Sequence, residues 1–330
     1  MAPLLLLAGA VAVLSGSMVA LQARANGRLA EQVGAFPAAG FSFFSGLAAL
    51  SLLLVSGRFR ARLARVPAAV RSGGLRWFHV LGGVAGGLLV STQTYAVPMV
   101  GVAAFLVAVV GGQVVSSLVV DRQGWGPAPA QALSRARVLA AGIAVVGVAL
   151  TATAGEAAGG TAPGAGLEGA VLPVAVAFTV GLLASLQFAF NGRVTRAAGV
   201  PTVTALINFA VGGATVALIG SVLAATGWLA RPSGLDVPWW AWAGGLCGVV
   251  FITGAAWAVQ HTGVLVFGLL AVTSQVGVGA ALDLTNPAMS DRVDTQLVAG
   301  MALAVSGSAL AGLAAARSAR RRSVSRAAAG

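Results

Sequence analysis

Two pairs of amide side chains recur in the sequence with the same spacing. Gln22 and Asn26 form the first pair, and Gln187 and Asn191 form the second. Because residues four apart share one face of an α-helix, each pair would present two amides in one direction. An amide offers two hydrogen-bond donors and an acceptor. The pairs can therefore bind a substrate or the backbone carbonyl of a neighbouring helix.

The elements that carry these amides belong to an internal repeat. LQARANGR at 21–28 returns as LQFAFNGR at 186–193. A second set of residues keeps identical spacing in both halves: Gly82, Gly83, Gly86, Gly101, Phe105, Gln113 and Asp121 return as Gly244, Gly245, Gly248, Gly263, Phe267, Gln275 and Asp283. Each copy is long enough for five membrane spans. Since five is odd, the second copy must enter the membrane inverted, an architecture known among secondary transporters.

The composition indicates that the chain is embedded in a lipid bilayer. Hydrophobic residues make up 58% and charged residues 8%, with a mean hydropathy of +0.92. Soluble domains carry about 25% charged residues. Runs of about 20 apolar residues predict an all-α membrane protein with ten transmembrane helices, at 3–23, 37–57, 77–97, 100–120, 137–155, 170–190, 203–226, 239–259, 263–282 and 295–315.

These helices predict two five-helix repeats of inverted topology. The first repeat covers 1–155 and the second covers 170–316. A Gly/Ala/Pro-rich linker at 156–169 joins them outside the membrane, and a basic tail follows at 317–330. The segment 1–23 has no basic n-region, and its repeat partner lies in mid-chain, so it is predicted to be a retained span and not a signal peptide.

The arginines predict the orientation. With both termini in the cytoplasm, 16 of the 20 basic residues fall inside, and the outer side keeps only Arg24, Arg28, Arg231 and Arg292. Seven of the eight acidic residues fall outside. The sequence thus predicts a bacterial inner-membrane protein with cytoplasmic termini. The arginine-dense segment 58–76 is expected to contact anionic lipids at the cytoplasmic face.

Polar residues inside predicted spans are candidates for a substrate site, because an amide in lipid usually faces a cavity or the bundle interior. Gln113 and Gln275 lie near the predicted midplane and Asn208 lies in the seventh span, so these three are candidate substrate-binding residues. Tyr95 and Trp257 occupy equivalent positions and could stack on a substrate. Structural hydrogen bonds and an interfacial aromatic belt are the alternatives.

The Gln22/Asn26 and Gln187/Asn191 pairs are predicted at opposite membrane faces, near the far ends of their helices. That symmetry favours a role in gating and in lining the transport cavity. The alternative is a helix C-terminal cap, because Asn-Gly often ends a helix.

Several function classes are not supported by the sequence. The net charge of +12 comes entirely from arginine, which in a membrane protein reports orientation and not nucleic-acid binding. No nucleophile–base set, phosphate loop or metal pattern appears, so no enzyme, cofactor or metal site is predicted. No predicted span has a charged residue at its centre, which argues against a buried carboxylate as proton carrier.

The two Gln-xxx-Asn-Gly-Arg elements and the helices that follow them, PAAGFSFFSGLAAL and PTVTALINFAVGGA, resemble the YdcZ-like branch of the drug/metabolite transporter superfamily. Many members of that branch are single five-span units, and this chain looks like two such units fused. The resemblance implies membrane transport and covers nearly the whole chain. Related small multidrug exporters carry a carboxylate in the first helix, where this chain has Gln22 and Gln187.

The sequence therefore predicts a secondary transporter, an exporter of small organic metabolites or drug-like molecules that works by alternating access. An uncoupled facilitator or channel and a non-transporting scaffold or sensor are the alternatives. The expected partners are a small-molecule substrate and the lipid bilayer, without nucleic acid, and a homodimer is left open.

The arginine distribution makes a direct prediction about topology. A periplasm-active reporter inserted near Thr161 should be active, and the same reporter fused after Arg326 should be inactive, because most arginines remain in the cytoplasm. The reverse pattern of reporter activity would contradict the predicted orientation.

Overall fold

The computed structural model describes residues 2–126, 130, 133–152, 168–227, 229 and 232–329. Its nine α-helices in these ranges are α1 (Ala2–Val33), α2 (Ala35–Ser51), α3 (Gly57–Arg71), α4 (Gly82–Gln123), α5 (Arg135–Ala152), α6 (Glu168–Ala198), α7 (Pro201–Ala225), α8 (Gly244–Leu284) and α9 (Thr295–Ala329). Short 3₁₀ helices occur at Leu52–Val55, Trp77–Leu81, Trp239–Ala243 and Ser290–Arg292. The predicted linker at 156–169 lies almost wholly outside the described residues.

The helices have the length and composition of membrane spans. Eight helices in the described residues are long and apolar enough to cross a membrane, and Trp239–Ala255 is a shorter apolar helix. One of the eight, Trp77–Gln123, has 47 residues. This is about twice the length of a single span, so α4 accommodates two of the predicted spans.

The chain reverses direction inside α4. Gly101 has φ 85° and ψ 170°, a conformation incompatible with a continuous helix. Gly86 packs against Gln187 of α6, and Gly112 packs against Leu182 of the same helix. In a straight helix Gly86 and Gly112 would be about 39 Å apart, whereas Leu182 and Gln187 are only about 8 Å apart. The two halves of α4 must therefore run side by side.

The same geometry holds in α8. Gly248 packs against Gln22 of α1, and Ala271 packs against Gly16 of α1. A straight helix would separate Gly248 from Ala271 by about 35 Å, although their partners on α1 are about 9 Å apart. The helix α8 therefore contains the eighth and ninth spans, and the described fold agrees with the predicted ten-span architecture.

The two repeats are interlocked and do not form separate bundles. The helix α1 packs mainly against α8, and its repeat counterpart α6 packs mainly against α4. Gly16 of α1 lies against the backbone of Ala271, and its counterpart Gly181 of α6 lies against the backbone of Val109. Since the two contacts are repeat equivalents, the halves are related by a pseudo-two-fold arrangement. Glycines without Cβ allow this close backbone approach in lipid.

The outer helix pairs follow the same symmetry. The helices α2 and α7 pack together, as do α5 and α9. In the second pair, Gly147 lies against the carbonyl of Gly300, and Gly300 lies against the carbonyl of Gly147. Small residues thus set the interhelical distances at the centre and the periphery of the bundle.

Asp283 ties the second repeat to the turn in α4. Its two carboxylate oxygens accept hydrogen bonds from the backbone N–H groups of Val102 and Ala103, at 2.9 and 2.8 Å. These are free N–H groups at the start of the helical segment after Gly101, so the carboxylate caps that segment. Arg292 also donates to the carbonyl of Met99 at 2.7 Å. The predicted ninth span ends at 282 and leaves Asp283 just outside it, but the residue is only 2% exposed.

The helix α3 forms within the arginine-dense segment. Its apolar residues Phe59, Leu63 and Val66 recur on one face and pack in one cluster with the end of α6 and the start of α7. Arg58 and Arg65 are exposed. The helix therefore lies along the bundle as an amphipathic element with a basic outer face.

Candidate transport site

A cavity lies where the two repeats meet, and its lining follows the repeat symmetry. Twelve described residues line it, and each one has its repeat counterpart in the same lining. The six pairs are Gln22 with Gln187, Ser42 with Asn208, Phe43 with Phe209, Gly86 with Gly248, Leu89 with Phe251, and Val90 with Ile252. A site built from equal contributions of both repeats lies on the pseudo-two-fold axis, and hence at the middle of the bundle.

The cavity is small and uncharged. Its volume is about 70 Å³, well below the roughly 300–1,000 Å³ of a drug-sized ligand pocket. Among the twelve lining residues, four are polar (Gln22, Ser42, Gln187 and Asn208) and none is ionisable. The remaining lining is aliphatic, aromatic or glycine, so the cavity offers hydrogen bonds within an apolar surface.

Two phenylalanines contact each other at the centre of this lining. The ring centroids of Phe43 and Phe209 are 5.4 Å apart with an interplanar angle of 59°. Gly46 on α2 makes room for the Phe209 ring, and its counterpart Gly212 on α7 makes room for the Phe43 ring. A Cβ at either glycine would overlap the facing ring. The glycines on α2 and α7 thus determine how closely the two aromatic residues approach the axis.

The amides in the cavity lie against glycines of the opposite repeat. Gln22 packs on Gly248 and Gln187 packs on Gly86. Gln187 Nε2 also donates to Asn208 Oδ1 at 3.2 Å. Asn208 is 2% exposed, and its Nδ2 has no hydrogen-bond partner. A buried amide donor without an acceptor is unfavourable by about 1–3 kcal/mol, which makes this group a candidate for ligand binding.

The asparagines lie one helical turn beyond the cavity glutamines. Asn26 Nδ2 donates to Gln93 Oε1 at 2.8 Å, and this bond is buried. Asn26 also packs against Gly244, and its counterpart Asn191 packs against Gly82. The position equivalent to Gln93 in the second repeat is Ala255. The buried amide–amide bond beyond Gln22 therefore involves a side chain that the second repeat lacks.

The expectation that these pairs lie near the ends of their helices is wrong. The helix α1 continues to Val33 and α6 continues to Ala198, so Asn26-Gly27 and Asn191-Gly192 lie inside helices and do not cap them. The physical reason is that tertiary contacts satisfy the polar groups: Asn26 bonds Gln93, and Gly27 lies against Val97. The segments beyond the asparagines form the outermost turns on each side of the cavity.

The structure does not place Gln113 and Gln275 in the cavity lining. Gln113 is half-buried, and its backbone carbonyl accepts a hydrogen bond from Ser185 Oγ at 2.9 Å. Gln275 is 8% exposed on the part of α8 that crosses α1. Both residues therefore lie where the first helix of one repeat, α1 or α6, crosses the opposite repeat. They are away from the cavity residues that meet on the axis.

The aromatic candidates also lie outside this lining. Tyr95 is 39% exposed on the surface of α4. Trp257 stacks on His261, with ring centroids 4.4 Å apart. Of the predicted substrate-binding residues, Asn208 alone joins Gln22 and Gln187 in the described lining.

Most of the apolar lining and two polar residues, Ser42 in the lining and Gln93 next to it, were not identified from the sequence. Ser42 and Phe43 are the repeat counterparts of Asn208 and Phe209, and an alignment of FSFFSG with INFAVG would have revealed them. Gln93 has no polar counterpart in the second repeat. Its role depends on a contact across 67 residues, which sequence spacing within one helix cannot reveal.

The fold is that of a polytopic membrane protein made of two inverted repeats around an axial cavity. Comparison with protein families matches residues 7–150 and again 172–313 to the family described as "Putative inner membrane exporter, YdcZ". The chain therefore belongs to the YdcZ family as a fused pair of its units, and it is a multi-pass inner-membrane protein.

Solved structures agree at the level of the fold. One matching chain, described only as "Crystal structure of protein", is 23% identical over 94% of this chain and 97% of that chain, with a TM-score of 0.50. At this identity the likeness shows the shared fold alone. The comparison with curated proteins gives no significant match.

The Asn26–Gln93 bond can be tested by a double-mutant cycle. Asn26→Ala and Gln93→Ala should each lower the free energy of unfolding by about 1–3 kcal/mol, because each leaves a buried amide unpaired. The double variant should lose less than the sum of the two effects. Equilibrium unfolding in detergent measures the coupling. Strictly additive effects would show that the two amides do not interact.

Proposed function

We propose that this chain exports small organic molecules by alternating access, with the axial cavity as the substrate site. The observation that carries the proposal is that all twelve described lining residues form six repeat pairs. In inverted-repeat carriers the substrate site lies at the repeat interface near the midplane. A substrate held there contacts equivalent groups from both halves. When the two halves exchange conformations, the substrate becomes exposed to the opposite side of the membrane.

Packed layers lie on both sides of the cavity. On the predicted outer side, Leu29, Val33 and Ala241 form a buried cluster, and Arg24 lies over the Trp240 ring at 6.0 Å. These contacts join the end of α1 to the start of α8. In the proposed mechanism they separate when the protein opens outward.

On the predicted cytoplasmic side the end of α6 forms the corresponding layer. Phe190 contacts Phe78, with ring centroids 5.6 Å apart. Arg193 donates to the backbone carbonyls of Gly124 and Trp125 at 2.8 and 2.7 Å. These bonds join α6 to the turn that follows α4. They would separate when the protein opens inward, and Gln22, Asn26, Gln187 and Asn191 mark the boundaries between each layer and the cavity.

The two packed layers favour a carrier over an open channel. A channel needs a continuous water path, whereas packed side chains lie on both sides of the small cavity here, in the cluster of Leu29, Val33 and Ala241 and in the contact of Phe78 with Phe190. An uncoupled facilitator uses the same cavity and remains the second candidate, since none of its twelve lining residues is ionisable. A scaffold gains nothing from a buried unpaired donor such as Asn208 Nδ2.

The basic face of α3 supports the proposed orientation. Arg58, Arg60, Arg65 and Arg71 are exposed, and each arginine near an anionic leaflet contributes about 1 kcal/mol. We place this helix at the cytoplasmic surface, in contact with anionic lipid headgroups.

The transport proposal predicts which glutamines matter for flux. Gln22→Leu and Gln187→Leu should each reduce counterflow in liposomes at least about tenfold, the equivalent of one lost hydrogen bond to the substrate. Gln113→Leu and Gln275→Leu are the matched controls, since they remove amides outside the described lining. The flux substrate is first selected from a metabolite panel by exchange without net current.

The same four variants test the sequence-based assignment. If Gln113→Leu and Gln275→Leu abolish exchange while the cavity variants transport normally, the substrate binds at the crossing helices and the axial site is wrong. Thermal melts in detergent must accompany each flux measurement, because a folding defect lowers the melting temperature as well as the flux.

A further inference from the structure

We infer that the substrate of this cavity is an uncharged molecule that carries a hydrogen-bond acceptor, such as an amide or other carbonyl group, on a compact apolar body. This inference rests on the proposed transport site. It follows from the unpaired donor, the absence of ionisable groups among the described lining residues and the small volume of the cavity.

The acceptor requirement comes from Asn208. Its Oδ1 is used by Gln187 Nε2 at 3.2 Å, whereas its Nδ2 is buried without a partner. A ligand that places a carbonyl oxygen near Nδ2 would satisfy this donor, which has given up its bonds to water. A ligand without an acceptor would leave the donor unsatisfied and gain no such bond.

The requirement for a neutral substrate follows from the absence of ionisable side chains among the described lining residues. None of its twelve described lining residues can neutralise a carboxylate or an ammonium group. Moving an unpaired ion into an apolar site is strongly unfavourable. Amide side chains can solvate a dipole, but Gln22, Gln187 and Asn208 supply no net charge. The site therefore favours the neutral member of any set of molecules with the same skeleton.

The shape requirement comes from the apolar part of the lining. Phe43, Phe209 and Phe251 together with Leu89, Val90 and Ile252 surround the polar groups. These side chains favour an apolar body next to the acceptor. With a volume of about 70 Å³, the described conformation accommodates a branched aliphatic group of a few atoms better than a large ring system.

A matched set of probes tests this inference on the full-length protein in detergent. Isobutyramide, isobutyrate and isobutylammonium share one branched skeleton. The amide is a neutral acceptor, the carboxylate is an anionic acceptor, and the ammonium is a cation without an acceptor. Thermal stabilisation at increasing probe concentration gives the dissociation constant, because a ligand that binds only the folded state stabilises it. We expect the dissociation constant of isobutyramide to be at least about tenfold lower than that of either ion.

Two variants locate the binding. Asn208→Leu should raise the dissociation constant of isobutyramide about tenfold or more. Asn208→Ser introduces the residue found at the repeat-equivalent position, Ser42. It provides a second test if the leucine variant fails to fold, and it should also weaken the binding of isobutyramide. Thr179→Val, at an exposed position on α6, should leave binding unchanged.

The outcomes separate this inference from the transport proposal. Equal or tighter binding of isobutyrate or isobutylammonium, no binding of isobutyramide, or unchanged binding in both Asn208 variants would overturn the inference. If a charged solute exchanges in counterflow at a rate that depends on Gln22 and Gln187, the transport proposal stands and the neutral substrate class is wrong. Loss of that glutamine dependence overturns both.

Discussion

The structure depends on the close approach of each first-span helix to the opposite repeat. Gly16 of α1 and Gly181 of α6 lie against the backbones of Ala271 and Val109. A Cβ at either glycine would overlap that backbone, and the helices would have to separate. Lipid provides no hydrophobic drive for helix association, so close van der Waals packing must hold the crossing together. This packing brings Gln22 and Gln187 to the opposite repeat and to the axis.

The composition of the cavity follows from that crossing. Because each first helix crosses into the other half, its glutamine meets a glycine of the other repeat: Gln22 faces Gly248 and Gln187 faces Gly86. The amides are thus held by the interface that would change in the proposed alternating-access mechanism. The halves are not identical, since Gln93 bonds Asn26 on one side and Ala255 is its counterpart. The layer at the end of α1 therefore has an additional buried hydrogen bond that the layer at the end of α6 lacks.

The membrane class, the repeat and the span architecture could be predicted from the sequence, because hydropathy and exact spacing record them directly. The amides at 22, 187 and 208 stood out because polar groups in lipid need partners. Their grouping could not be predicted, since it depends on which helix crosses which. Gln113 looked central because it lies midway along a span, yet the axis passes through the residues near Gly86 and Gly248. Asp283 looked like a loop residue because it follows the predicted ninth span directly. Its role as an acceptor could not be predicted, since the backbone N–H groups that donate to it are 181 and 180 residues away.

The central claim is that the axial cavity opens to each side of the membrane in turn. It is tested most directly by thiol accessibility at Val90→Cys, in a Cys247→Ala background that removes the single native cysteine. A membrane-impermeant thiol reagent should label this position in both right-side-out and inside-out vesicles, and a bound substrate should protect it. Leu218→Cys, at a 67% exposed position on the surface of α7, should face lipid and remain unlabelled from either side. Labelling of Val90→Cys from one face only, or from neither, would contradict alternating access through this cavity.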